Sequence, residues 1–182
     1  DAEFYKGLTR FKQKDIERAA QHFKNALIIY PEHKKARKGL DNVTKQFLNA
    51  GNKAYKRGDL EKALVYYQDA VSYDDQFYLA FYQLGVLEKK MGNSDMAITY
   101  LNKVINIKPD FQKAWFTLGT SYEADNNLDS AIIKYSKAIE LDSNYTKAYG
   151  NLGNVYISKE EYELAINTLN KSILVDPEYA DG

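Results

Sequence analysis

Glycine recurs along this chain at a fixed interval. Gly51, Gly85, Gly119 and Gly153 follow one another every 34 residues, and Gly7 stands 44 residues before the first of them. Five alanines, Ala19, Ala63, Ala97, Ala131 and Ala165, reproduce the same four separations. Two residue classes that share one period identify an array of repeated supersecondary units, each too small to bury its apolar face alone. A first, atypical unit with a ten-residue helical insertion takes up residues 1–43. Four regular units follow at 44–77, 78–111, 112–145 and 146–179, and 180–182 form a tail, which leaves no length for a separate domain.

Within each unit the apolar residues fall three and four apart in two blocks, the spacing of two amphipathic helices. In the fourth unit the first block is Trp115, Leu118, Gly119 and Tyr122, and the second is Leu128, Ala131, Tyr135 and Ala138. Asp125-Asn126-Asn127 reads as the turn between them, with Asn127 or Asp129 available to cap the second helix. Arg57-Gly58-Asp59 and Met91-Gly92-Asn93 are the equivalent turns. Gly119 and Ala131 are small because a larger side chain would hold the two helices apart. Pro31, Pro109 and Pro177 each follow a second helix, where a fixed φ and a missing N–H stop propagation. The reading is ten helices, paired as hairpins.

These residues carry a family resemblance. Trp115-x2-Leu118-Gly119-x2-Tyr122 with Ala131-x3-Tyr135 resembles the tetratricopeptide repeat, as does Tyr149-x2-Leu152-Gly153-x2-Tyr156 with Ala165-x3-Leu169 and Pro177. Phe81-x2-Leu84-Gly85 with Ala97-x3-Leu101 and Pro109 departs only at Glu88, which stands where the family has an aromatic. The second unit is looser, with Phe47, Ala50, Gly51 and Ala54, and the first keeps Gly7, Ala19, Phe23, Ala26 and Pro31. The resemblance implies an all-α, right-handed superhelical solenoid of antiparallel helix pairs, cut from a larger protein, and says little about function. The insertion near His33 to Val43 departs from it. Ala36, Leu40, Val43 and Phe47 keep helical spacing, so one long helix from about Glu32 to Lys56 is expected; the alternative is a break at Gly39 to Asp41. Pro31 to Ala36 followed by Gly51 to Ala54 is similar to a junction in tetratricopeptide co-chaperones that carry a J domain.

Composition excludes several chemistries. There is no cysteine, so no disulfide, thiolate metal site or cysteine nucleophile exists. His22 and His33 have no metal-ligand spacing and read as surface residues. Carboxylate pairs such as Asp74-Asp75 and Glu160-Glu161 sit at turns or helix starts and read as capping groups. No phosphate-binding glycine motif occurs, and no metal or cofactor is implied. Twenty-five basic residues balance 25 acidic ones, so no global field draws nucleic acid, and the 16 tyrosines read as repeat core. A basic cluster, Lys34, Lys35, Arg37 and Lys38, reads as a solvated helix face. No apolar run is long enough to span a bilayer; a soluble chain is expected, cytoplasmic in preference to exported.

Function should therefore come from surface shape: a non-catalytic scaffold that holds a protein or peptide segment. The resemblance puts the partner-binding residues on the first-helix faces, at Lys45, Leu48, Asn49, Asn52, Tyr55 and Lys56, then Leu79, Tyr82, Gln83, Val86, Lys89 and Lys90. Further along they are Lys113, Phe116, Thr117 and Thr120, then Lys147, Asn151, Asn154 and Ile157. Leu79, Val86 and Phe116 are expected as solvent-facing apolar side chains that want cover. A clamp for the acidic tails of heat-shock chaperones would use Leu48, Asn52, Gln83, Lys113 and Thr117; only Asn52 and Lys113 are suitable, so this mode is disfavoured. A co-chaperone or assembly-factor fragment, or an accessory repeat domain of an enzyme, are the alternatives. Self-association is expected through the apolar edge of Tyr162, Ile166, Leu169 and Ile173 and through the opening helix at Phe4, each lacking a neighbouring repeat.

Overall fold

The computed structural model describes residues 1–177; Tyr179 and the expected tail 180–182 lie outside them. Among the described residues the regular elements are helices: α1 (Ala2–Lys12), α2 (Ile16–Ile29), α3 (Lys34–Lys56), α4 (Leu60–Tyr73), α5 (Tyr78–Lys90), α6 (Ser94–Ile107), α7 (Gln112–Ala124), α8 (Leu128–Leu141), α9 (Thr146–Ser158) and α10 (Tyr162–Val175). They fall into two compact units, one ending at Leu87 and one starting at Glu88. In the first, α1 packs on α2, α2 on α3 and α3 on α4; in the second the chain of neighbours runs from α6 through α10.

The period of the sequence reappears in the backbone. Lys14, Gly58, Gly92, Asn126 and Glu160 hold positive φ, between 57° and 85°, and are spaced 44, 34, 34 and 34 residues apart. Each lies in the turn that joins one helix to the next, where a left-handed residue reverses the chain. Glycine meets that demand at two turns, asparagine at one, and lysine and glutamate at the other two against their steric preference. Beyond the fourth turn, the Asn127 side chain accepts from Ser130 N at 3.2 Å and caps α8, while Asp129 is drawn away to Lys159.

The insertion is helical throughout. α3 is one uninterrupted helix of 23 residues. It begins at Lys34 because His33 caps it, Nδ1 accepting from Ala36 N at 3.3 Å, while Nε2 lies 3.0 Å from Asp1 Oδ1. Gly39 does not break it. A Cβ at Gly39 would meet the Phe23 ring at 2.7 Å, and one at Gly7 would meet the same ring at 2.7 Å, so Phe23 of α2 is gripped between two glycine-bearing helices. His22, expected at the surface, is half-buried, its Nδ1 2.8 Å from Glu3 Oε2. Both histidines therefore serve α1 and its neighbours, contrary to the surface reading. Phe4 is also buried, against Phe23 and His33, rather than forming an open edge.

In the other pairs the same close approach recurs. A Cβ on Gly51 would lie 2.4 Å from the Tyr67 ring, and one on Gly119 would lie 2.6 Å from Tyr135. Glu88, the departure from the aromatic pattern, is buried, and its Oε2 accepts from Asn93 Nδ2 at 2.8 Å. A carboxylate replaces a ring here because the following turn supplies a donor. Trp115 donates from Nε1 to the Pro109 carbonyl at 2.7 Å, tying the start of α7 to the chain that leaves α6.

Candidate functional site

Each unit offers a face of its first-position helices, and the two faces differ. In the first unit, Lys45, Asn49 and Lys56 of α3 are exposed, and Asn52 and Tyr55 are half-exposed. The Asn52 amide is not free: Oδ1 accepts from the Tyr67 hydroxyl at 2.8 Å. Leu48 packs against the core of α1 to α4. On α5, Leu79, Tyr82, Gln83 and Val86 are all half-buried.

In the second unit four expected residues enter two short hydrogen-bonded chains that both touch α7. Lys89 donates from Nζ to Thr120 Oγ1. The Thr120 hydroxyl donates in turn to the Thr117 carbonyl at 2.9 Å. Asn151 Nδ2 donates to the Tyr135 hydroxyl at 3.1 Å, and that hydroxyl donates to Glu123 Oε2. Burial lowers the pKa of Lys89, with the Glu123 carboxylate opposing the shift. Burial, then the hydrogen bond to Glu123, pushes the Tyr135 phenol far above its ordinary range. Glu123 and Tyr135 are bonded neighbours of these residues that the repeat pattern alone does not place beside them. A signal was available: Glu123 lies 34 residues after Lys89, so opposite charges occupy one repeat position in successive units. Lys113, Lys147 and Asn154 remain exposed beside these chains.

Three expectations need correction. Phe116 is not a solvent-facing side chain, because its ring packs 5.7 Å from Tyr135 and 5.0 Å from Tyr145. Leu79 and Val86 are half-buried and likewise do not form an uncovered patch. Thr117 is buried, and its hydroxyl donates back to the Lys113 carbonyl at 2.8 Å, so it cannot reach a partner. Of the expected groove residues Ile157 of α9 is an exposed large apolar side chain; others lie outside the expected set, among them Val65 of α4, Ile133 of α8, and Tyr162, Ile166 and Ile173 of α10. Leu169 does not join that last set, since it fills the space over Gly153, where a Cβ would lie 2.5 Å from it. Of the carboxylate pairs, Asp74 accepts from Gln76 N at 3.1 Å in its turn, while Glu161 pairs with Lys159 at 3.3 Å. Among the described residues no helix is long and apolar enough to cross a membrane.

The family model of the tetratricopeptide repeat protein 21 C-terminal ARM domain matches residues 2–181. Among curated proteins no sequence matches. Solved structures do. MamA is 22% identical over 97% of each chain with a TM-score of 0.72. YrrB, described as a TPR protein with an unusual peptide-binding site, is 22% identical over 98% of this chain and 87% of its own, at a TM-score of 0.65. The first TPR of Spaghetti (RPAP3), solved bound to the HSP90 peptide SRMEEVD, is 19% identical over 64% of this chain and 93% of its own, at a TM-score of 0.63. At such identities the likeness is one of fold.

Proposed function

The chain belongs to the tetratricopeptide-repeat family of the protein 21 C-terminal ARM domain, and from that premise we propose that it is a non-catalytic scaffold which holds a peptide or helix of a partner protein against its first-position helices. The observation that carries this reading is the division of labour on those helices. Apart from the exposed Ile157, the apolar residues expected on these faces are half-buried, whereas Lys45, Asn49 and Lys56 in one unit and Lys113, Lys147 and Asn154 in the other stay exposed. Ammonium and amide groups of this kind pair with the carbonyls, N–H groups and carboxylates of a polypeptide. Hydrogen bonds from Lys89 to Thr120, from Tyr135 to Glu123 and from Asn151 to Tyr135 tie the helices behind them together, which lowers the ordering cost of binding.

One structural neighbour solved with a peptide and another described as having a peptide-binding site support peptide recognition in general; the residues of this chain speak against the chaperone-tail mode. That mode needs cations and amides where this chain has Leu48 and Thr117, and its Asn52 amide already serves Tyr67. The test is recovery of partner by the intact chain against a variant with Asn49, Lys113 and Asn154 changed to Ala. Loss of at least about tenfold in affinity, about 1.4 kcal/mol, is expected. Equal recovery by a folded variant would reject the surface. A second reading, self-association through α10, is favoured by the exposure of Tyr162 and Ile166, at 59% and 60%. Ile166→Asp should abolish any concentration-dependent dimer seen by light scattering.

A further inference from the structure

The positive charge of this neutral chain is concentrated at one place. Residues 1–57 carry 14 basic and 6 acidic side chains, and the remaining 125 carry 11 and 19. Half of those 14 cations sit on α3, which holds seven Lys and Arg against one carboxylate, Asp41. At about 100° per residue, Lys34, Lys38, Lys45 and Lys56 fall on a single stripe. That stripe is opposite the buried Ala36, Leu40, Val43, Phe47 and Ala54. All four lysines are exposed. Among the described residues none of the four has an ion-pair partner. A rise of about 1.5 Å per residue spreads them over about 33 Å.

We propose that this stripe of α3 is the docking track for an extended acidic segment of a partner protein, about ten residues long at about 3.3 Å each. The inference rests on the scaffold reading above and names the chemistry of its partner. Charge complementarity selects the occupant: four ammonium groups in a line, none of them held in an ion pair, attract carboxylates at matching intervals, and the single carboxylate on that side, Asp41, offsets only part of their field. The exposed amides of Asn42 and Asn49 lie between the lysines, and each offers both a donor and an acceptor to a peptide backbone. Single-stranded nucleic acid would want stacking rings, and this face exposes none; Tyr55 lies off the stripe and is half-buried. An anionic membrane would want apolar side chains beside the cations, and the exposed positions of α3 are all polar.

The experiment uses the full chain and a fluorescent peptide of alternating Glu and Ser, with an oligouridylate and phosphatidylserine-containing vesicles as rival probes. Changing Lys34, Lys38, Lys45 and Lys56 together to Gln should weaken the peptide by at least about tenfold. The same four changed to Arg should keep binding, and Lys62→Gln with Lys171→Gln, two exposed lysines away from α3, should leave it unchanged. Raising salt from about 0.05 to about 0.3 M should weaken it as well. Helicity and melting of each variant establish that it is folded. The proposal is overturned if the peptide does not bind, if the Gln variant binds it equally, or if oligouridylate or vesicles bind more tightly. A dimer of this chain that the Gln variant dissolves would overturn it too. If the native partner is lost with Asn49, Lys113 and Asn154 changed but held by the Gln variant, the scaffold reading stands and the acidic track falls.

Discussion

The Tyr67 hydroxyl donates to Asn52 Oδ1 at 2.8 Å, so a residue on the outward side of α3 is bound to the centre of its own repeat. Tyr67 is fully buried, and burial, then the neighbouring Tyr55, pushes its phenol up to about 12. Asn52→Ala should cost about 1–3 kcal/mol by stranding that hydroxyl. Tyr67→Phe in the same background should recover part of the loss. A double-mutant cycle by urea denaturation checks both, and additive losses would mean that the bond contributes nothing.

Gly39 makes a sharper demand. Alanine is the better helix former by about 1 kcal/mol, yet its methyl would strike a Phe23 ring that Gly7 blocks from the other side. Gly39→Ala should therefore destabilise by about 1–3 kcal/mol. A gain in urea midpoint would show that the ring can move away.

Sequence periodicity located the helices well because glycine, alanine and proline mark close approaches and stops that every pair must have. It placed α3 correctly through Ala36, Leu40, Val43 and Phe47, and its alternative, a break at Gly39, failed because that glycine serves packing rather than a turn. The outward faces were less legible. A single repeat pattern says that Phe116 and Thr117 lie away from their own hairpin, but not that Tyr145 comes to cover Phe116 or that Thr117 turns its hydroxyl back into the helix. The histidines were misread for a related reason: His22 and His33 take their partners from α1 and its cap, 19 and 32 residues away, and such pairings leave no mark in local spacing.

Glu160 holds φ at 62° in the turn before α10. Glycine reaches that region without the Cβ clash that costs other residues about 1–2 kcal/mol, less its greater chain entropy. Glu160→Gly should raise stability by about 0.5–1 kcal/mol, read as a higher urea midpoint. A lower midpoint would mean that the side chain makes a contact that offsets the strain.

Acid should loosen the α1–α2 hairpin first. Hydrogen bonds from Lys6 and then His22 hold the Glu3 carboxyl down at about 2, against an ordinary 4.5. A pKa lowered in the folded state stabilises fully above the ordinary value, and that contribution disappears as pH falls through the folded one. Stability should thus decline between about pH 4.5 and about 2, and Glu3→Gln should flatten that part of the profile. An unchanged profile would remove Glu3 from the account.

Partner binding by the first-position helices, and not by the exposed apolar residues of the second helices, can be tested directly. A photo-crosslinking amino acid placed in turn at Asn49 and Asn154, and at Val65 and Ile133, tests it in cells. One discrete cross-linked partner is expected from Asn49 or Asn154 and none from Val65 or Ile133. Cross-links confined to Val65 and Ile133 would contradict it.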